Sequence, residues 1–291
     1  MTRSGGINVT FWGVRGSTPC EGPQYERYGG HSSCVSLEVD GQPPIIFDLG
    51  TGLTPYGEHL GGSDVPVRAS VLLTHLHWDH VQGLPFFTPL HNPDSLVEVY
   101  GPRQADGALC EVFDQLMRPP FFPIRSDQLG GDLRWHDLVD DDLPVGQAKV
   151  RSRGVRHRGT TLGYRVDWNG ATVVYISDHG QSSDDHRHDD DIPHEVLELC
   201  DGADLLIHDA QHTHNEFEHK RNWGHCTFEY ALHVAREAGV RQLGLFHHCP
   251  SHDDRAIDLI ECMTQDLSAR RGGPEVFAAA ETTSLLVGGR R

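Results

Sequence analysis

Residues 70–85 constrain this chain more than any other part of its 291 residues. The segment begins with a run of apolar or β-branched residues that predicts a short buried strand. His75, His77, Asp79 and His80 follow within six positions. Because side chains alternate along a strand, His75 and His77 should point the same way. Asp79 and His80 should come next, where the chain turns into a helix.

These four side chains predict a metal site. Imidazole and carboxylate groups are ligands for divalent zinc, manganese and iron. Four of them cannot crowd round one ion and leave it open for chemistry, so the spacing indicates two ions that share the ligands. The alternative is a His-rich surface loop in a chain that contains 21 histidines. The H-x-H-x-D-H spacing directly after a buried strand favours the metal site.

The hydrophobic pattern predicts short strands interspersed with helices. No linker, repeat or change of composition divides the sequence, so we predict one domain over residues 1–291. Two sheets packed face to face with helices outside fit this order, which is an α/β (α+β) fold in four layers, an αβ/βα sandwich. Strands are predicted at 7–12, 34–39, 44–49, 69–74, 96–100, 132–136, 148–157, 161–168, 171–177, 204–208, 242–246, 276–277 and 284–287, and helices at 53–60, from Val81, at 104–117 and 193–200, from near His225 to Ala238, and at 253–269.

The net charge of the chain is −18 at pH 7. Nonspecific binding to a nucleic-acid backbone depends on positive charge, and no run of lysine and arginine offsets the acidic background. The composition therefore argues against a large nucleic acid as the substrate. A small phosphate ester stays compatible with it, because bound metal ions would bring their own positive charge.

Cysteine usage and hydropathy indicate where such a chain would be found. Its seven cysteines are scattered and form no C-x-x-C pair, which predicts reduced thiols. The N-terminal residues lack the apolar core of a signal peptide. No apolar run approaches the roughly 20 residues that span a bilayer. We therefore expect a cytoplasmic protein that has no membrane partner.

A two-ion site needs more ligands than residues 70–85 supply. Several predicted strands in the second half of the chain end on a histidine or an aspartate. One such residue often has a purely structural role, but a set of them together with the H-x-H-x-D-H motif predicts a functional site. These strand-end residues are His157, Asp178, His208, Asp209 and His247.

Two other features of the sequence have more than one interpretation. Residues 182–191 are rich in aspartate and histidine, but nothing rigid holds these groups, so we predict a solvated loop. Several aromatic residues could stack on a base or sugar, or could pack in the core or between subunits, which makes a homodimer possible. They are Phe86, Phe87, Phe121, Phe122 and Trp223.

These motifs resemble those of the metallo-β-lactamase-fold hydrolases, and the resemblance runs from about residue 7 to residue 250. Within that superfamily the chain looks most like the phosphodiesterase branch, which includes ribonuclease Z and the cyclic-phosphate phosphodiesterases. Four segments carry this closer resemblance: 11–17, 206–210, 224–227 and 245–248. The resemblance implies the four-layer sandwich and a metal-dependent hydrolase.

The resemblance also implies a ligand set. His248 and His252 are alternatives to His247 for the last ligand, and we prefer His247 because it lies nearest to the preceding strand. The implied ligands are His75, His77 and His157 for one ion, Asp79, His80 and His247 for the second, and Asp178 as the bridge between them.

Further roles follow from the same resemblance. Asp48 would orient ligand groups through hydrogen bonds. Asp79 would also help to orient the nucleophile, and His208 would bind the phosphate or donate a proton to the leaving oxygen. The ions would be two divalent metals, zinc before manganese or iron. A water bridging them would have its pKa lowered towards about 7, and the resulting hydroxide would attack phosphorus.

We therefore predict a phosphodiesterase that acts on a small nucleotide-like or cyclic phosphate ester. A thioester, lactone or lactam hydrolase on the same fold is the alternative. A di-iron redox protein would carry a carboxylate where this chain has His77, and a non-catalytic binding module would have lost ligands. The chain lacks the basic arm with which ribonuclease Z grips transfer RNA, and this absence argues against that substrate.

Overall fold

The computed structural model describes residues 5–182 and 191–288. All but the two ends of the predicted solvated loop at 182–191 lie outside the described residues. No helix in the described part of the chain is long and apolar enough to cross a membrane.

The first sheet has seven strands in the order β14-β1-β2-β3-β4-β5-β6. The pairings from β14 to β3 are antiparallel, and those from β3 to β6 are parallel. The last of the described strands therefore lies at the edge of the first sheet, paired with the first strand. The strands are β1 (Gly6–Gly13), β2 (Cys34–Glu38), β3 (Ile45–Phe47), β4 (Arg68–Leu72), β5 (Leu96–Pro102), β6 (Asp132–Leu138) and β14 (Ser284–Gly288).

The second sheet repeats this arrangement in the order β13-β12-β11-β10-β9-β8-β7. Its pairings are antiparallel from β7 to β10 and parallel from β10 to β13. Its strands are β7 (Asp142–Val145), β8 (Ala148–Gly154), β9 (Leu162–Trp168), β10 (Ala171–Ile176), β11 (Leu205–Asp209), β12 (Gln242–Phe246) and β13 (Glu275–Ala278).

Helices cover the outer face of each sheet. Alternation along the strands explains the layers, because Ile207 of β11 packs between the sheets while its neighbour Leu206 packs against helices. Across the sheets, the rings of Phe47 and Tyr175 stack with their centroids 4.5 Å apart. The helices are α1 (Leu53–His59), α2 (Trp78–Val81) and α3 (Leu109–Phe113) by the first sheet, and α4 (His194–Cys200), α5 (His214–Lys220), α6 (Phe228–Glu237) and α7 (Asp254–Arg271) in the second half.

The predicted four-layer αβ/βα sandwich is confirmed, with differences in local structure. The helix expected from Val81 begins at Trp78, so Asp79 and His80 lie within it. The helix expected at 104–117 is reduced to the single short helix α3. Neither β7 nor α5 was predicted: β7 contains Pro144, which is depleted in strands, and α5 buries only Phe217 and so lacks an apolar face.

Candidate metal centre

The structure brings all seven predicted ligands together at one edge of the two sheets. His75 follows β4, and α2 supplies Asp79 and His80 with His77 at its N-cap. The other three come after β8, β10 and β12 of the second sheet. Within each of two groups, the ligand atoms all lie within 4.8 Å of one another. The groups are His75, His77, His157 and Asp178, and Asp79, His80 and His247.

The first group surrounds one carboxylate oxygen. Oδ2 of Asp178 lies 3.5 Å from Nε2 of His157 and 3.9 Å from Nε2 of His75. Nε2 of His157 is also 3.2 Å from Nδ1 of His77. Donor atoms from three separate loops therefore converge on one point.

The second group converges in the same way. Nε2 of His80 lies 3.3 Å from Nε2 of His247, and Oδ2 of Asp79 lies 3.2 Å and 3.1 Å from these two atoms. Asp178 reaches this group as well, with Oδ1 3.1 Å from His80 Nε2 and Oδ2 3.5 Å from His247 Nε2. It lies between the two groups, as a bridging ligand would.

The donor set fits two divalent cations. Nε2 of His75 and Oδ1 of Asp178 are buried and make no well-aligned hydrogen bond among the residues described, although Oδ1 lies 3.1 Å from Nε2 of His80. Such atoms are costly to bury unless something satisfies them. Nitrogen and carboxylate oxygen donors in two adjacent groups suit zinc, manganese or iron. The assignment of individual ligands stays a prediction.

Electrostatics favour the same chemistry. Burial, with the nearby His80, lowers the pKa of His75 well below its usual value, which keeps the ring neutral as a metal ligand must be. Burial alone would raise the pKa of Asp178, but the surrounding histidines His247 and His80 hold it well below its usual range. Burial opposes charge on His80 too, yet three surrounding carboxylates raise its pKa well above normal. The carboxylates therefore favour positive charge at the position of His80.

Neighbouring groups fix the orientation of the ligand rings. Nδ1 of His80 lies 2.7 Å from Oδ2 of Asp48, and Nδ1 of His157 lies 2.6 Å from the carbonyl oxygen of Gly224. These acceptors hold a proton on Nδ1 and leave Nε2 of each ring for a metal. The role predicted for Asp48, the orientation of ligand groups, is consistent with this geometry.

Only one of the three candidate histidines for the last ligand reaches the cluster. Nε2 of His248 donates to the carbonyl oxygen of Ala279 at 2.8 Å. Nε2 of His252 lies 2.9 Å from a carboxylate oxygen of Glu216 on α5. Both rings are thereby occupied elsewhere, and His247 remains the predicted ligand.

His208 does not join the cluster, contrary to the role predicted for it. It is fully buried, with Nδ1 2.7 Å from the carbonyl oxygen of Asp209 and Nε2 3.1 Å from Nδ1 of His179. The physical reason is strand alternation, because His208 lies on the same face of β11 as Leu206, towards the helices. A group enclosed in this way is not available to a phosphate.

The sequence prediction missed a second carboxylate–histidine pair beside the cluster. Oδ2 of Asp209 accepts a hydrogen bond from Nδ1 of His225 at 2.9 Å. The His225 ring stacks on that of His247 with the centroids 5.0 Å apart, and it lies 5.2 Å from that of His157. Asp209 lies on the same face of β11 as Ile207, towards the space between the sheets. This strand periodicity could have indicated from the sequence that Asp209 faces the site.

Comparison with known proteins identifies the family. Residues 49–248 match the β-lactamase superfamily domain, which is more than half of the chain. The chain belongs to this superfamily, and it is a metal-dependent hydrolase with the metallo-β-lactamase fold. Both predictions are thereby confirmed.

Individual relatives agree with the closer resemblance to the ribonuclease Z branch. The ribonuclease Z of Synechococcus sp. (strain WH7803) is 27% identical over 84% of this chain and 86% of its own length. Among solved structures, the metallo-β-lactamase fold protein YhfI from Bacillus subtilis superposes with a TM-score of 0.71 at 18% identity, covering 97% of this chain and 99% of its own. The short form of human tRNase Z gives 0.65 at 21% identity, covering 96% and 98%.

These relatives overturn the predicted partner. The acidic composition argued for a small phosphate ester and against a large nucleic acid, whereas relatives aligned over most of the chain are ribonucleases by name. That prediction was wrong because a net charge summed over the whole chain does not describe the charge around the site. The contacts of a substrate depend on local charge and shape.

Proposed function

We propose that this chain is a phosphodiesterase that cuts RNA at the candidate metal centre, with His225 as the proton donor to the leaving oxygen. The observation that carries the proposal is the Asp209–His225 pair packed against His247 and His157. Cleavage of a phosphodiester creates an alkoxide, and a positioned acid beside the site lets it leave.

The geometry of the pair suits this role. Asp209 also accepts the backbone N–H groups of His179 at 3.0 Å and Gln211 at 2.9 Å, so its carboxylate is held in place. Its bond to Nδ1 leaves Nε2 of His225 as the nitrogen that can give up a proton. Burial disfavours a charged His225 ring, but the nearby carboxylates, Asp209 foremost, raise its pKa above the usual value.

The chain's other site residues would bind and orient the phosphate. Divalent ions, zinc first, held by the two ligand groups would lower the pKa of a water molecule and neutralise charge on the phosphate when bound. Asp79 would help to orient that water, because its Oδ2 also accepts the backbone N–H of Ser17 at 2.7 Å and is thereby fixed.

Four cationic side chains lie in the two segments that supply His157 and His225. Arg156 and Arg158 neighbour His157 in the sequence, and Lys220 and Arg221 precede the loop that carries His225. The two segments are joined, since Nε of Arg158 donates to the carbonyl oxygen of Asn222 at 2.6 Å. These four groups can contact phosphates on either side of the cut bond despite the acidic character of the whole chain.

One comparison of substrates tests the proposal. The purified chain, loaded with zinc or with manganese, is assayed on an RNA oligonucleotide with an unpaired 3′ end, on bis(p-nitrophenyl) phosphate and on a thioester. We expect cleavage of both diesters and none of the thioester. Thioester turnover without diester turnover would instead identify the alternative hydrolase class.

A further inference from the structure

A cavity of about 270 Å³ opens beside α2, between α1, α3 and the turn that follows α3. We call it the aromatic pocket; the lining residues that matter here are Trp78, Gln82, Phe86, Met117, Phe121 and Phe122. We infer that the aromatic pocket binds an unpaired nucleobase of the RNA next to the cleaved bond. The inference rests on the proposed function and names a recognition element for it.

The exposure of these rings is the first reason. Trp78 is 61% exposed, Phe86 56% and Phe121 72%. Single exposed apolar residues are common, but three large aromatic side chains that line one cavity form a patch of the kind that marks a binding site. Phe122 packs edge-on against Phe86 with the ring centroids 6.0 Å apart, which gives the cavity a defined aromatic wall.

Its position is the second reason. Trp78 stands between His77 and Asp79, one from each group of predicted ligands. The helix that delivers Asp79 and His80 to the centre therefore also forms one side of the pocket. A base bound in the aromatic pocket would therefore belong to a nucleotide near the reacting phosphodiester.

Charge is the third reason. The net charge of −18 opposes long-range attraction to the RNA backbone, even where a few cationic groups lie in the segments that form the site. Stacking of bases on aromatic side chains does not depend on net charge, and it is the usual way in which proteins bind unpaired bases. Gln82 and Thr54 add an amide and a hydroxyl to the lining, the kind of group that hydrogen-bonds to a base edge.

A second copy of the chain is the competing occupant. A stable subunit interface buries about 800 Å² on each partner, and it is usually flat and broad. This cavity is concave and has room for only one or two rings. Its size therefore fits a base better than a subunit.

The test compares two RNA oligonucleotides that differ only at the two positions next to the cleavage site. One RNA is intact, and the other carries abasic sugars at these two positions. Wild type should cut the abasic RNA with kcat/KM lower by about tenfold or more, the loss of one stacked base. Phe121→Ala should cut the intact RNA at the lower rate that wild type shows on the abasic RNA. On the abasic RNA, Phe121→Ala and wild type should have the same rate. Phe121→Tyr should restore the preference.

The control is Leu259→Ala, since Leu259 is 61% exposed on α7 and outside the pocket. It should behave as wild type. Equal losses on both RNAs in Phe121→Ala would overturn the inference. So would a wild-type dimer that Phe121→Ala converts to a monomer in light scattering, since a second copy would then fill the pocket.

Binding can be measured even if the chain cuts no RNA. Quenching of tryptophan fluorescence by adenosine monophosphate, but not by ribose 5-phosphate, should be lost in Trp78→Phe and weakened in Phe121→Ala. Quenching without RNA cleavage would reject the proposed function and keep the pocket. Cleavage that ignores the base, without quenching, would reject the pocket alone.

Discussion

Asp48 accepts a hydrogen bond from Nδ1 of His80 at 2.7 Å, although Asp48 directly follows β3 and His80 lies in α2. Asp48 is fully buried and also accepts from the backbone N–H of Thr74 and from the hydroxyl of Tyr175, both at 2.8 Å. Its backbone has a φ of 59°, a conformation that is costly for a residue other than glycine. The strained residue is therefore the one whose carboxylate hydrogen-bonds to groups from both sheets and to a predicted metal ligand.

Asp48→Ala should therefore weaken the metal centre without touching a predicted ligand. The substitution leaves His80 free to rotate and removes the acceptor of four buried donors, since the hydroxyl of Thr74 also donates to Asp48 at 2.9 Å. We expect metal affinity to fall by about 10- to 100-fold, measured by competition with a chelating dye. Tyr175→Phe is the matched control, because it removes one donor to the same carboxylate. It should cost about 1 kcal/mol in the free energy of unfolding and retain metal affinity.

Asp178→Ala and His77→Ala test the ligand assignment directly. Asp178 lies between the two groups, so its loss should reduce the metal content of both and abolish activity. His77 belongs to one group, and its loss should mainly reduce the content of that group. The number of metal ions per chain, measured by plasma mass spectrometry on the same samples that are assayed for activity, distinguishes the two patterns. Full metal content and rate in either variant would show that the assignment is wrong.

His225→Gln tests the proton donor. A general acid contributes about 10²- to 10⁴-fold when the leaving group is poor. The loss of kcat should therefore be large with RNA and small with bis(p-nitrophenyl) phosphate, whose leaving group needs no proton. His208→Gln is the control, since His208 is buried on the helix side of β11. An equal loss on both substrates in His225→Gln would point to a structural role.

The sequence predicts those features that depend on one segment at a time. Each of the seven predicted ligands lies in H-x-H-x-D-H or at the end of a buried strand, and the structure gathers them because strand ends meet at one edge. The pairing of Asp209 with His225 could not be predicted from single segments in this way. His225 meets it only because the loop before α6 packs back on β11, a contact between segments that no local pattern encodes.

His208 and the substrate show two further limits. The histidine was placed at the end of its strand correctly, but the phase of alternation decides which face it occupies, and only packing reveals that phase. The argument against a large nucleic acid failed because the net charge of the whole chain does not report how charge is distributed around the site. In both cases the deciding factor is a position in three dimensions, which the local sequence does not specify.

Glu281 should make stability depend on pH. Burial raises its pKa from 4.5 to about 7, in spite of the N–H of His31 and the charge of Arg15. The folded state thus holds this proton more tightly than the unfolded chain, so the stabilisation is complete below pH 4.5 and is lost as pH rises through about 7.

Glu281→Gln keeps an oxygen for the N–H of His31 and removes the titration. Relative to wild type, this variant should gain on the order of 1 to 3 kcal/mol in unfolding free energy between pH 5 and pH 8. Urea unfolding at constant metal loading measures it, with the exposed Glu58→Gln as control. Parallel pH profiles for wild type and Glu281→Gln would contradict the assignment.

Gly16→Ala should disturb the candidate metal centre through His247. A Cβ at Gly16 would press on Nδ1 of His247 and lie 2.6 Å from Nε2 of Gln211. His247 has a φ of 59° and already faces Asp79, so its ring has little freedom to retreat. We expect the affinity for one ion to fall by about 10- to 100-fold while the other ion stays bound.

Gly154→Ala is the control for that prediction, because its new Cβ would meet only Oδ1 of Asp140 at an ordinary 3.7 Å. Titration of the metal-free chain with zinc should then show two phases in Gly16→Ala, and the wild-type curve in Gly154→Ala. Loss of both ions together in Gly16→Ala would mean that the two groups bind as one unit. A wild-type curve would mean that His247 is not a ligand, since its displacement would then leave binding intact.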